Sequence, residues 1–146
     1  MNNIKVFEND LPDDLDLSNE KFIGLDNEAL GLVLGRDPLT LVQLGLESKN
    51  FYLIKLNRET YKAPNLVKVL SNDNTQFIMH YARQDLMWLR YHLNVKPKNI
   101  FCTKVASKIA RTASSFHGYK DLVKELCGRD ISKKEQQSDW GDPNLS

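Results

Sequence analysis

Apolar residues recur along this chain at two different periods, and the change of period divides it. Before about residue 60 they fall in short runs at residues 4–7, 21–25, 39–46 and 51–56, rich in branched and aromatic members and separated by polar breaks. Such runs predict strands. The first is followed by the acidic loop Asn9, Asp10, Pro12, Asp13, Asp14 and reads as an entry arm. The second stops abruptly at Asp26-Asn27-Glu28, which puts carboxylates at its C-terminal end. A loop holding Gly31, Gly35, Asp37 and Pro38 leads to the third, and Ser48-Lys49-Asn50 separates the third from the fourth at hairpin spacing. Strands 21–25, 39–46 and 51–56 are therefore expected to form an antiparallel meander.

After residue 60 the period lengthens. Residues 64–70 open with Pro64 where a first helical turn tolerates it and close at Ser71-Asn72-Asp73-Asn74, which predicts a helix. Residues 76–80 read as a strand. Residues 83–93 carry Leu86, Leu89 and Leu93 on one helical stripe, with Met87 or Trp88 at its edge, and Pro97 stops the element. A short strand at 99–102 precedes helices at 103–112 and 118–127, the first with Thr103 as its expected N-cap, and Ser132-Lys133-Lys134-Glu135 fits a capping box for a further turn or helix. This order predicts an α/β fold: a mixed five-stranded sheet with helices on its faces.

Composition narrows the class. A chain of 146 residues, 41% hydrophobic and 27% charged, is expected to form a single globular domain over residues 1–146. The formal charge of +1 conceals an asymmetry: residues 1–30 hold eight acids and two bases, while residues 83–120 hold eight bases, Arg83, Arg90, Lys96, Lys98, Lys104, Lys108, Arg111 and Lys120. Cys102 and Cys127 have neither metal-ligand spacing nor the density of a disulfide framework, so a reducing cytoplasm is the expected location. The acidic start and the absence of a long apolar stretch argue against secretion and membrane insertion.

The chemistry-bearing residues are carboxylates. Asp26 and Glu28 lie two apart on one strand, so both point to one face and can reach one hard cation such as Mg²⁺ or Mn²⁺; a solvated strand terminus is the plainer alternative. Asp85 follows the strand at 76–80 and enters the next helix, where an acid also complements the helix dipole. Open α/β sheets place their sites at such strand ends. His80 could touch a phosphate or simply sit hydrogen-bonded and half-buried, and His117 with Gly118 precedes a helix N-terminus that could face a phosphate. The cations from Arg83 to Lys120 suit a nucleic-acid backbone or a solvated helix face. Trp88, Tyr91 and Phe116 could stack bases or belong to the core. No matched acid and histidine accompany either cysteine, and Gly31 and Gly35 fit no nucleotide fingerprint.

Phe22-Ile23-Gly24-Leu25-Asp26-Asn27-Glu28-Ala29-Leu30-Gly31-Leu32 and His80-Tyr81-Ala82-Arg83-Gln84-Asp85-Leu86 resemble the first and second motifs of the ribonuclease D group of DEDD 3′-5′ exonucleases. Leu41 to Leu44, Lys98 to Thr103, His117 to Leu122 and Gln136 to Trp140 resemble further family segments in the family's order, so the likeness runs from about Ile4 to Trp140. It implies a ribonuclease H-like fold, with Asp26, Glu28 and Asp85 as catalytic carboxylates and ligands of two Mg²⁺ or Mn²⁺ ions. From the residues themselves, His80, Arg83, Lys104, Lys108, Arg111, His117 and Lys120 are the candidates for contact with the backbone of an RNA 3′ end. Asn27 stands where the family usually has Thr, and Cys102 where many relatives have Asp.

The family's third motif, a Tyr followed four residues later by an Asp on a C-terminal helix, has no match before Ser146. With that helix missing from the sequence, the expected site holds three carboxylates against the charge of two divalent ions, and its attacking water lacks the tyrosine that would position it. The reading is thus a metal-dependent 3′-5′ exoribonuclease domain whose activity alone is weak or absent. The alternatives are a catalytically silent relative that at most binds nucleic acid, and a split enzyme completed by a second chain that supplies the Tyr and Asp helix.

Overall fold

A computed structural model describes residues 3–131; the capping box from Ser132 and the Gln136 to Trp140 segment lie outside the described residues. Six strands form one mixed sheet: β1 (Asn3–Glu8), β2 (Phe22–Ala29), β3 (Leu39–Leu46), β4 (Asn50–Lys55), β5 (Gln76–Met79) and β6 (Ile100–Cys102), in the order β1-β4-β3-β2-β5-β6. The helices are α1 (Pro64–Leu70), α2 (Arg83–Leu93), α3 (Thr103–Ala110) and α4 (Tyr119–Cys127). β2, β3 and β4 form the expected antiparallel meander, and β5 and β6 extend it in parallel.

The expected five strands become six because the entry arm joins the sheet, pairing in parallel with β4 from Asn3 opposite Asn50 to Glu8 opposite Lys55. Five of its six residues are exposed, so main-chain hydrogen bonds hold it, together with Phe7, which packs against Tyr52 and the core. The acidic loop that follows also has a structural task. α1 starts after Ala63 with no side-chain cap of its own. Asp10 supplies one from across the chain: its carboxylate accepts the main-chain N–H of Asn65 at 2.9 Å and of Leu66 at 2.8 Å. Asn65 donates in return to the Leu11 carbonyl at 2.8 Å and to Asp13 at 2.7 Å. Two helix-terminal donors are thereby satisfied. Asp10→Ala is expected to lower stability by about 1–2 kcal/mol, read as a lower urea midpoint at unchanged slope.

β3 is covered on both sides. Leu39, Thr40, Leu41, Val42 and Leu44 are all buried, and the polar Gln43 interrupts the run. Against the sheet pack Leu66 and Leu70 of α1 and Trp88, Leu89 and Leu93 of α2, around the fully buried Ile23 and Phe77. Trp88 is a core residue at 4% exposure, while Met87 faces outward at 44%.

The feature that positions the site is a difference in strand length. β2 pairs with β3 as far as Ala29, but with β5 only from Phe22 to Gly24. The second predicted strand therefore does not end at Leu25. It runs on through Asp26, Asn27 and Glu28, because the β3 ladder holds the main chain extended even over residues of low strand propensity. Beyond Gly24 the β5 side of β2 is unpaired. β5 ends at Met79, His80 lies just past it, and Tyr81 turns the chain with a positive φ of 63° into α2.

Candidate active site

The opening beside the unpaired stretch of β2 is a cleft of about 200 Å³. Asn27 and Glu28 of β2, His80 and Tyr81 of the turn, and Asp85 and Trp88 of α2 line it. Gly31 and Leu32 add a wall from the following loop. That loop is braced by Asp37, whose carboxylate accepts the Val33 N–H at 2.9 Å and takes a two-pronged ion pair from Arg36 at 2.6 and 2.8 Å. These contacts hold the Asp37 carboxyl down at about 2.

Asp26 and Glu28 occupy alternate positions of β2, as the strand period requires, and Asp85 enters from the first turn of α2. Asp26 keeps solvent exposure and receives the Asn27 N–H at 3.0 Å; Glu28 is half-buried and accepts from Gln43 Nε2 at 3.3 Å. Gln43 lies directly opposite Asp26 across the β2–β3 ladder. It was not among the residues picked from sequence, although an amide side chain in the otherwise buried run of β3 was the signal for it.

The three acids feel one another. Burial, then the Asp26 charge, pushes Glu28 up to about 7, against the pull of the Gln43 hydrogen bond. Burial, then the charges of Asp26 and Glu28, pushes Asp85 up to about 7. Asp26 is raised by burial and restrained by the Asn27 N–H. Among the described residues no Lys or Arg forms an ion pair with any of the three. Nor, among those residues, are any three His, Cys, Asp or Glu side chains drawn up into a closed set of metal ligands. The acids converge electrostatically without chelating. Hard oxygen donors with uncompensated negative charge are what a divalent cation fits.

The predicted basic and histidine positions fall into two groups. At the cleft, His80 Nδ1 lies 2.9 Å from the Thr103 hydroxyl, which donates to the Met79 carbonyl at 3.2 Å. Since that hydroxyl proton is committed, Nδ1 is the donor to Thr103 and Nε2 is the remaining acceptor. Thr103 is accordingly not the cap of α3; Cys102 holds that place, with Thr103 as first helical residue. Burial and the Lys104 charge lower the His80 pKa, and Lys104 Nζ sits 4.0 Å above the Tyr81 ring. Arg83 is exposed at the start of α2.

The second group lies on α3 and α4. Ser107 Oγ is 2.8 Å from His117 Nδ1. Arg111 donates to Ser107 Oγ at 2.8 Å and to the Phe116 carbonyl at 2.9 Å, and it pairs with Glu125. Lys108 and Lys120 are exposed and form no ion pair among the described residues. Of the aromatic candidates, Trp88 is buried while Tyr91 and Phe116 are 58% and 68% exposed.

A ribonuclease H-like sheet with acids gathered where its central strand outruns its parallel neighbour defines a class of nuclease domains. The chain belongs to the 3′-5′ exonuclease family, whose family model matches residues 8–146. Ribonuclease D of Xanthomonas oryzae pv. oryzae (strain KACC10331 / KXO85) is 29% identical over 138 residues, which are 90% of this chain and 35% of that protein. The structure of Brucella melitensis NrnC with bound Mg²⁺ is 38% identical and superposes with a TM-score of 0.90, covering 99% of this chain and 69% of that one. NrnC bound to pGG superposes at 0.91 with the same identity and coverage. The chain spans about a third of the length of the curated relatives it matches. Among the described residues no helix is long and apolar enough to cross a membrane.

Proposed function

We propose that residues 1–146 act as one metal-dependent 3′-5′ exonuclease unit hydrolysing phosphodiester bonds at RNA 3′ ends in a reducing cytoplasm. Asp26, Glu28 and Asp85 are the proposed ligands of Mg²⁺ or Mn²⁺. The observation that carries the reading is that Glu28 and Asp85 line one cleft, with Asp26 two residues away on β2 and no cationic partner among the described residues, where burial first and the neighbouring acids second raise Glu28 and Asp85 to about 7. The choice of RNA follows the ribonuclease D relatives and rests on that likeness.

When bound, divalent ions supply Lewis-acid activation of the phosphodiester and of the attacking water. The protein's own residues do the rest. Asp26 and Glu28 on the rigid β2 ladder fix the donor positions, Gln43 holds Glu28 in place, and Asp85 closes the site from α2. His80, with its one N–H at Nδ1 spent on Thr103, offers Nε2 as an acceptor to a water. Arg83, Lys104, Lys108, His117 and Lys120 supply cationic groups for the backbone of a strand entering the cleft. Arg111 is occupied within the protein and braces His117 through Ser107 and Phe116.

The test uses the purified chain and a short 5′-labelled single-stranded RNA. The expected result is Mn²⁺-dependent shortening from the 3′ end that stops with EDTA. RNA that is bound but never shortened, at any enzyme concentration, would instead assign a silent binding module.

A further inference from the structure

We infer that Asn27 is the positioning residue that locks Asp85 against the β2 carboxylates, an inference that rests on the metal-site reading above. Asn27 stands between Asp26 and Glu28 on β2 and lines the cleft together with Glu28 and Asp85. Its Nδ2 donates to the main-chain carbonyl of Asp85 at 3.0 Å, across 58 residues of sequence. This bond joins the unpaired stretch of β2 to the first turn of α2 where no strand pairing can do so, because the β2–β5 ladder has already ended at Gly24. It grips Asp85 by its own backbone. The carboxylate two atoms away from that backbone is thus held at a fixed height relative to its neighbours on β2.

A second observation supports a positioning task over simple packing. The amide's other end, Oδ1, is buried and has no hydrogen-bond partner. Turning the amide over would set oxygen against the Asp85 carbonyl and leave the donor unpaired, so the orientation is forced. A buried acceptor with no partner costs the fold stability. Only the donor half is used, and a hydroxyl of suitable reach would supply that donor without the orphaned oxygen. Asn27 therefore acts through Asp85 and does not itself touch the reacting atoms.

The isosteric pair Asn27→Thr and Asn27→Val separates the donor from the bulk. Mn²⁺ titrations by calorimetry on wild type and both variants give the affinities, and melts in EDTA show whether each variant is folded. The expected result is a loss of at least tenfold in Mn²⁺ affinity for N27V, with N27T within about threefold of wild type and melting at or above it. Asn27→Ala replaces N27V if the latter is not folded, with the same expected loss. A folded N27V or N27A that binds Mn²⁺ as wild type does, or an N27T as impaired as N27V, overturns the positioning role and leaves the metal site standing. No Mn²⁺ uptake by wild type overturns the metal-site reading and this inference with it.

Discussion

Asp26→Asn is expected to lower the rate of 3′-end shortening by about a thousandfold or more, the order lost when a preorganised charge is removed from a transition-state site. The same substitution is expected to leave the metal-free protein at least as stable as wild type. Asp26 is an acid whose pKa folding has raised, so its charged form is disfavoured in the native state, and it also adds to the repulsion felt by Glu28 and Asp85. Replacing it with a neutral isostere relieves both effects. Activity falling while the melting temperature in EDTA holds or rises distinguishes a functional acid from a structural one. A structural acid would lose both together.

The second large effect is pH dependence. Glu28 and Asp85 sit at about 7 in the folded chain, against ordinary values of 4.5 and 3.8. Between the ordinary and the raised values the native state binds more protons than the unfolded chain, so metal-free stability declines as pH rises through that window and levels off above about 7. Metal uptake runs the other way, because each ligand must first lose its proton. From pH 8 down to pH 5 the Mn²⁺ affinity is expected to fall roughly a hundredfold for each acid that must ionise. The two protons will leave in coupled steps belonging to the pair. Calorimetric titrations across that range, beside melts in EDTA, measure both slopes. A flat Mn²⁺ affinity would mean that the raised acids are not ligands.

Much of this site is readable from residue order alone, for a local reason. The two-residue spacing of Asp26 and Glu28 fixes a shared face in any extended conformation, and the change to helical period at Arg83 places Asp85 in a first turn. What sequence hides is decided by contacts between distant segments. The apolar run at 4–7 marks β1 as a strand, but nothing in it says that its partner is β4, about fifty residues on. β2 overruns its expected end because β3 continues beside it. Asp10 caps a helix that begins more than fifty residues later. Thr103 has the residue type and position of an N-cap, yet its hydroxyl is drawn to the Met79 carbonyl and His80 by the junction of β5 with α3. Asn27, set between two acids, reads from sequence as a neutral spacer; only the bond to the Asp85 carbonyl shows its task.

Cys102 illustrates the same point from the other side. Burial raises its thiol, but the nearby main-chain N–H groups of Val105, Ala82, Tyr81 and Lys104 outweigh that and bring its pKa below the ordinary value.

Crystals grown with Mn²⁺ and measured at a wavelength where manganese scatters anomalously put the question to the site directly. The expected map shows an anomalous peak between Asp26, Glu28 and Asp85, with carboxylate oxygens of all three within about 2.0–2.3 Å of it, and none in crystals of Asp85→Asn. Well-ordered carboxylates with no such peak at saturating Mn²⁺ would contradict the metal site and the exonuclease chemistry built on it.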